Sequence, residues 1–243
     1  MATAVQQIKA ALRVLPQGPK FLVGKILIFF YIWMHRRLHK LNILPIDRNF
    51  GEKRGTPVGR YYVERFLRRN CDLINGRCLE FGDNRYRSLF ARAQSYEVIS
   101  LSAGPHVDYA CDIHQPVGIP EAAFDSVICT QVLEHLAFPE TALKNIFRFL
   151  KPGGVLLLTA PFINNIHYGP TDFRRFTPDG VRLIVEAAGF IIEELDYGGN
   201  SAVATGSLLG MVAEDFLPEE MDRQDSVYPY NILVRARRPS AIN

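Results

Sequence analysis

Two stretches near the middle of the chain decide its fold: FDSVICTQVLEHL at residues 124–136 and LKNIFRFLKPGGVLLLTAPF at residues 143–162. Each contains a continuous apolar run of strand length, and the second run follows the turn sequence KPGG. An amphipathic segment of helical period, residues 140–150, lies between the two apolar runs. Strand, helix and strand in this order predict part of a mostly parallel sheet with helices on both faces.

The same alternation continues on both sides of these stretches. It predicts a doubly wound α/β fold, with one domain over residues 61–243. Residues 198–228 interrupt the pattern and are rich in small side chains, so we expect a substrate-side insertion there. The other predicted strands are residues 77–81, 97–101, 108–112, 190–195 and 230–235, and the other helices are residues 61–69, 86–93 and 178–188.

The composition is that of an ordinary globular protein. Of 243 residues, 48% are hydrophobic and 22% are charged, which excludes a disordered chain, a collagen-like repeat and a disulfide scaffold. The four cysteines show no paired framework, so we expect free thiols in a reducing compartment. No H-x-x-x-H, H-E-x-x-H or Cys/His cluster is present, and no metal site is predicted.

Charge is segregated along the chain, although its net value is only +3. Residues 1–70 hold 14 Lys and Arg against three acidic residues, a net charge of +11, and the remainder carries −8. Residues 1–60 are therefore predicted to form a basic, apolar helical arm and linker. Its apolar run, residues 26–34, is shorter than the roughly 20 residues of a membrane span and precedes the basic sequence HRRLHK.

These features predict that residues 1–40 contact an anionic membrane surface from the cytoplasmic side. The alternative is that the apolar stripe packs on the body or on a second copy of the chain, as a homo-oligomer contact.

In such sheets a ligand binds at the carboxyl ends of the strands, which here are followed by LEFGDNRY at residues 79–86 and ACDI at residues 110–113. Together with the two central stretches, these motifs resemble the class I S-adenosylmethionine-dependent methyltransferases, in particular the branch called methyltransferase type 11. The segment GPTDFRRFTPDG at residues 169–180 is similar to methyltransferases found among glycan and cell-surface enzymes. The resemblance implies a Rossmann-like, seven-stranded, mostly parallel sheet and the cofactor S-adenosylmethionine.

Carried over by position, the resemblance assigns two ends of a cofactor site. Glu80, Gly82 and Asp83 would line the methionine end. Asp112 would accept a hydrogen bond from adenine beside Ile113, and Gln131 would close the site. The alternatives are purely structural roles: Asp112 would cap a turn, and Glu80 would pair with an arginine such as Arg85.

Two departures from the family pattern bear on this site. The loop EFGDNRY is shorter than the usual glycine-rich loop, and Ser100 stands where a ribose-binding carboxylate is expected. Both departures would weaken cofactor binding, because a serine hydroxyl forms weaker hydrogen bonds than a carboxylate.

Three residues are candidate general bases for a hydroxyl acceptor: His135, His167 and Asp172. The leading hypothesis is O-methylation of a sugar or glycan, lipid-linked acceptors included, at a membrane face. Two alternatives stay open. One is a scaffold that keeps the fold without the chemistry, and the other is an RNA methyltransferase, against which the acidic body argues.

Overall fold

The computed structural model describes Ile26, Phe30 and residues 45–167 and 169–240. The chain divides into two units after Pro45, and the second unit extends from Ile46 to Asn243. The predicted arm over residues 1–40, with its membrane or subunit contact, lies outside the described residues apart from Ile26 and Phe30. In the described part of the chain, no helix is both long enough and apolar enough to cross a membrane.

A seven-stranded sheet forms the centre of the second unit. In chain order its strands are β1 Gly76–Phe81, β2 Ala93–Ser100, β3 Tyr109–Ala110, β4 Phe124–Thr130, β5 Leu150–Pro161, β6 Ile191–Gly198 and β7 Asn231–Arg237. Across the sheet the order is β3-β2-β1-β4-β5-β7-β6. Strands β1 to β5 pair in parallel, whereas β7 is antiparallel to both β5 and β6. The order reverses between β1 and β4, where doubly wound sheets bind their ligands.

Helices cover both faces of this sheet, and strand residues alternate between two hydrophobic clusters. The described α-helices of this unit are α1 Val58–Arg69, α2 Pro139–Phe149, α3 Pro178–Ala187, α4 Ser201–Leu208 and α5 Pro218–Asp222. Leu156 and Leu158 face the cluster that includes residues of α2 and α3, and Val155 and Leu157 face the cluster that includes residues of α1. The continuous apolar run in β5 is thus explained by burial on both faces.

The predicted fold class is confirmed, and most predicted elements differ from the observed ones by a few residues at their ends. The helix predicted over residues 86–93 is wrong. A single 3-10 turn, Arg87–Leu89, stands there, and β2 already begins at Ala93. The apolar spacing reflects packing of Tyr86 and Leu89 against the α1-side cluster instead of a helical face.

Residues 46–57, which were predicted to be linker, belong to the compact unit. They pack on the segment over residues 198–228: the Ile46 N–H donates to the Leu209 carbonyl at 2.7 Å, and Arg54 pairs with Asp215 at 3.0 Å. Gly210 has a φ of +88°, and a Cβ there would collide with the Asp47 backbone, so only glycine fits. The compact unit therefore begins earlier than the predicted boundary at residue 60.

Candidate active site

A cleft of about 1240 Å³ lies at the carboxyl ends of β1, β2 and β4. Two further segments contribute to its lining: one before and in α1, with Asn49, Phe50, Glu52, Pro57, Gly59 and Arg60, and one after β5, with Asn164, His167, Gly169, Pro170 and Phe173. No described residue of the segment 198–228 lines it. That segment, expected to cover the acceptor pocket, instead supports residues 46–57, some of which line the cleft.

Glu80 is a buried carboxyl group at the end of β1, with only 1% of its surface exposed. It accepts a hydrogen bond from the Tyr96 hydroxyl at 2.7 Å and a longer one, 3.4 Å, from the Tyr86 N–H. Burial raises the pKa of Glu80 to about 7, although the hydrogen bonds from Tyr96 and Tyr86 act to lower it. The carboxyl group of Glu80 is therefore partly protonated near neutral pH, and a cation bound beside it would favour the ionised form.

The short loop after β1 leaves the cleft open. Gly82 has a φ of +125°, and a Cβ at this position would meet no atom within 4 Å. Asp83 pairs with Arg85 at 2.9 Å on the exposed rim. Arg85 thus pairs with Asp83 and not with Glu80, and neither Arg85 nor Tyr86 fills the space above Gly82.

Asp112 follows β3 and lines the same cleft as Glu80, next to the buried Ile113. Its Oδ1 accepts a hydrogen bond from the His114 N–H at 2.9 Å and lies 2.6 Å from His114 Nδ1. The backbone hydrogen bond is the main cause of the lowered pKa of Asp112. Asp112 therefore caps a turn with one oxygen while its carboxyl group, 55% exposed, lines the cleft.

Ser100 and Gln131 line the same cleft from the ends of β2 and β4. Gln131 adopts a φ of +54°, and its Nε2 donates to Thr159 Oγ1 at 3.1 Å. The structure thus brings all seven predicted cofactor residues into one cleft: Glu80, Gly82, Asp83, Ser100, Asp112, Ile113 and Gln131.

Two of the three candidate bases, His135 and His167, line the cleft as a pair. His135 ends the 3-10 turn after β4, and His167 lies in the loop after β5. His135 Nε2 and His167 Nδ1 are 3.3 Å apart, and His135 Nδ1 lies 3.1 Å from the Thr171 carbonyl oxygen. Because a carbonyl only accepts, Nδ1 of His135 carries the proton and Nε2 presents its lone pair.

Known proteins resemble this chain over part of its length. Residues 84–158 match the family model described as a methyltransferase domain. This segment of the chain is therefore similar to a methyltransferase domain. A curated relative, named a probable S-adenosylmethionine-dependent methyltransferase of Mycolicibacterium smegmatis, is 32% identical over 98 residues, which are 37% of each chain. The chain thus spans little more than a third of that relative's length. These matches bear out the predicted resemblance to S-adenosylmethionine-dependent methyltransferases.

Solved structures share the fold at lower identity. The N-methyltransferase NodS of Bradyrhizobium japonicum, in complex with S-adenosyl-L-homocysteine, is 16% identical and has a TM-score of 0.53 over 80% of this chain and 94% of its own. An S-adenosylmethionine-dependent methyltransferase of Mesorhizobium loti is 19% identical, with a TM-score of 0.50 over 74% and 98%. The (4+2)-cyclase SpnF has a TM-score of 0.54 at 20% identity, over 82% and 88%. Because SpnF is described as a cyclase, the methyltransferase fold alone does not specify the reaction.

The third candidate base, Asp172, does not line the cleft, and its expected role as a base is corrected. Its side chain is 2% exposed and forms two hydrogen bonds with Arg175, at 2.6 and 2.7 Å. It also accepts from the His167 N–H at 2.8 Å. Burial acts to raise the pKa of Asp172, but these hydrogen bonds outweigh it and lower the pKa to about 2. Asp172 therefore positions the His167 loop.

Replacing Asp172 with asparagine is expected to lower the free energy of unfolding by about 2–3 kcal/mol at pH 7, because it removes a buried charge that pairs with Arg175. The native pKa is depressed, so this stabilisation is present above pH 4 and is lost as the pH falls toward 2. Urea denaturation of both proteins between pH 2.5 and pH 7 measures the difference. Asp179→Asn, at an exposed carboxyl, is the matched control, and equal losses in the two variants would contradict the positioning role.

Sequence reasoning missed Glu134, which lies directly before His135. Its side chain is fully buried, and it stands behind the histidine pair. The sequence signal is a charged residue between Leu133 and His135 in an otherwise apolar segment. An acidic side chain is rarely buried without a partner, so its burial in such a segment indicates a specific role.

Proposed function

We propose that this protein transfers a methyl group from S-adenosylmethionine to a hydroxyl group of a sugar or glycan. The observation that carries the proposal is the single cleft in which the seven predicted cofactor residues meet a histidine pair. A site for methyl transfer needs a pocket for the donor and a proton acceptor beside it, in one enclosed space.

The residues present fit the cofactor. Glu80 offers a buried carboxylate with one weakly bonded oxygen, which suits an ammonium group, and Gly82 leaves room above it. Asp112 offers a free oxygen beside Ile113, a combination that suits the amino edge of adenine. When bound, the cofactor supplies a methyl group on a sulfonium sulfur, and the carbon–sulfur bond breaks with its electrons remaining on sulfur.

The histidine pair would remove the proton of the acceptor hydroxyl. His167 Nδ1 donates toward His135 Nε2, which leaves His167 Nε2 as the basic atom, 3.4 Å from Asn164 Nδ2. The Glu134 carboxylate lies 3.3 Å from His167 Nδ1 and would stabilise the imidazolium formed. The acceptor oxygen gains the methyl group, and its proton passes to His167 and then to solvent.

The acceptor side of the cleft supports a partly apolar, hydroxyl-bearing substrate. Asn164, whose Nδ2 lies 3.4 Å from His167 Nε2, and Asn49 both line the cleft and provide polar groups that suit sugar hydroxyls. Phe173, whose N–H donates to the Glu134 carbonyl, also lines the cleft and exposes about half of its surface. Such an exposed apolar side chain beside a polar pocket is consistent with a lipid-linked glycan. The basic arm over residues 1–40 would then hold the protein on an anionic membrane.

Two measurements test the proposal. Calorimetry with S-adenosyl-L-homocysteine should show one site per chain, and absence of binding at millimolar ligand would overturn the proposal in favour of a scaffold. Methyl-labelled S-adenosylmethionine, supplied with free sugars, lipid-linked sugars or RNA, should label the lipid-linked sugars in an alkali-stable ether. Label recovered only in RNA would favour the nucleic-acid alternative.

Membrane contact needs a separate measurement. Full-length protein is expected to float with anionic liposomes and to remain unbound with neutral ones, because the arm is basic and apolar. Equal recovery of full-length protein and a variant lacking residues 1–40 would contradict the membrane role of the arm without affecting the catalytic proposal.

A further inference from the structure

The carboxylate of Glu134 is buried and lacks hydrogen bonds. Neither oxygen has a hydrogen-bond partner among the described residues, and the side chain is fully inaccessible to solvent. The ion pairs found in the described part of the chain place no lysine or arginine on it. A buried carboxylate without hydrogen bonds is costly, because burial removes its hydration and nothing replaces it.

Two imidazole nitrogens stand close to this carboxylate. Glu134 Oε1 lies 3.3 Å from His167 Nδ1 and 3.9 Å from His135 Nε2, and the two nitrogens are 3.3 Å apart. Ligands about 2.1 Å from a metal ion stand about 3.0 Å apart at right angles and about 3.4 Å apart in a tetrahedron. The three atoms therefore form a triangle close to the size that one ion requires.

The surrounding structure holds these ligands in place. The Thr171 carbonyl keeps the proton of His135 on Nδ1, which leaves Nε2 with the lone pair that a metal needs. The His167 backbone is fixed by Asp172, and Arg175 ties Asp172 to the carbonyl of Asn165. Both imidazoles line the cleft, whereas Glu134 lies behind them. The remaining coordination positions of an ion would thus face the cleft.

We propose that Glu134, His135 and His167 bind one divalent transition-metal ion at the acceptor end of the cleft. Two imidazoles and one carboxylate favour Zn²⁺, Fe²⁺, Co²⁺ or Mn²⁺ over Mg²⁺ and Ca²⁺, which prefer sets of oxygen ligands. Three protein ligands with open positions are typical of catalytic metal sites. The ion takes the place of the proton shared by the two imidazoles and satisfies the buried carboxylate.

The use of this ion rests on the proposed function. An acceptor hydroxyl bound to the ion would have a lowered pKa, so the ion would replace a free imidazole in releasing the hydroxyl proton to solvent. An acceptor with two neighbouring hydroxyls, as in many sugars, suits an ion with more than one open position.

Metal binding is tested with the full chain after chelator treatment and dialysis, using Zn²⁺ in calorimetry and Co²⁺ in visible absorption. We expect one equivalent of Zn²⁺ to bind, and Glu134→Gln to weaken binding by about 100-fold. The Co²⁺ protein should show d–d bands that Glu134→Gln and His167→Ala remove. The controls are His114→Ala, which removes the other histidine next to a carboxylate in the cleft, and the exposed His106→Ala.

The outcomes separate this proposal from the proposed function. Absence of stoichiometric binding, or equal affinity in Glu134→Gln and in the parent, would overturn the metal site. Loss of binding in His114→Ala but not in Glu134→Gln would also overturn it. S-Adenosyl-L-homocysteine affinity reports the cofactor site and should not change in Glu134→Gln, His167→Ala or His106→Ala. A retained melting temperature shows that Glu134→Gln is folded, and His167→Asn serves as a second variant if it is not.

Discussion

Replacing Glu80 with glutamine is expected to weaken S-adenosyl-L-homocysteine binding by about 10- to 100-fold at pH 8, because a charged hydrogen bond to the ligand ammonium is lost. Glutamine keeps the size of the side chain and still accepts from the Tyr96 hydroxyl. Calorimetry at pH 6, 7 and 8 measures the change, and Glu219→Gln, at an exposed carboxyl, is the matched control.

The same experiment should show a pH dependence with a definite sign. The pKa of Glu80 is raised to about 7 by burial, so the free protein carries a neutral carboxyl below that pH. A cationic ligand favours the ionised form, and binding must then release a proton. Affinity in the parent protein should therefore rise about tenfold from pH 6 to pH 8 and level off above, whereas Glu80→Gln should show no such rise.

Tyr96→Phe separates the charge of Glu80 from its position. The variant removes the 2.7 Å hydrogen bond that stabilises the ionised carboxylate. The pKa of Glu80 should rise further and move the affinity profile to higher pH, while the plateau affinity is kept. A parent profile that is flat between pH 6 and pH 8 would contradict the role of Glu80 at the methionine end.

Replacing His167 with alanine is expected to reduce methyl transfer by about 100- to 10,000-fold, the usual contribution of a general base. Cofactor affinity should stay within about threefold, because the imidazole belongs to the acceptor side of the cleft. Label transfer to the acceptor identified with methyl-labelled cofactor gives the rate, and calorimetry gives the affinity. His106→Ala is the control.

The double variant His135→Ala with His167→Ala should be little worse than either single variant, because residues that act as a unit have non-additive effects. Independent, multiplicative losses would show that the two imidazoles do not share one task. Full activity in His167→Ala would remove the histidine pair from the reaction.

Much of the fold followed from local patterns. The apolar runs of β4 and β5 needed no tertiary information, because burial on both faces makes a parallel strand continuously apolar. The helix predicted at residues 86–93 failed because Tyr86 and Leu89 have helical spacing but pack as a loop on the α1-side cluster. Spacing alone does not distinguish a helical face from a loop that buries the same side chains.

The cofactor end of the site could also be predicted from the sequence, since each of its residues lies within three residues of the end of a strand. Glu80 ends a buried run and Asp112 follows another, so a parallel sheet must bring them to the same edge. The acceptor end could be predicted only in part. His135 and His167 were named separately, but their contact depends on the path of the chain after β5. The sequence offers Asp172 as a candidate base, and only the folded structure shows that Arg175 binds its carboxylate through two hydrogen bonds.

The sequence by itself determined the fold class of the domain and the order of its strands along the chain. It also determined the separation of a segment with a net charge of +11 from a body with a net charge of −8. These properties reside in local apolar periodicity, turn residues and composition, which are present before folding. The tertiary structure decided the antiparallel place of β7 between β5 and β6, the open space above Gly82 and the meeting of Glu134 with His167. Such features depend on which distant groups share a buried environment. Burial raises the pKa of Glu80, and it makes an unpaired carboxylate at Glu134 costly in free energy.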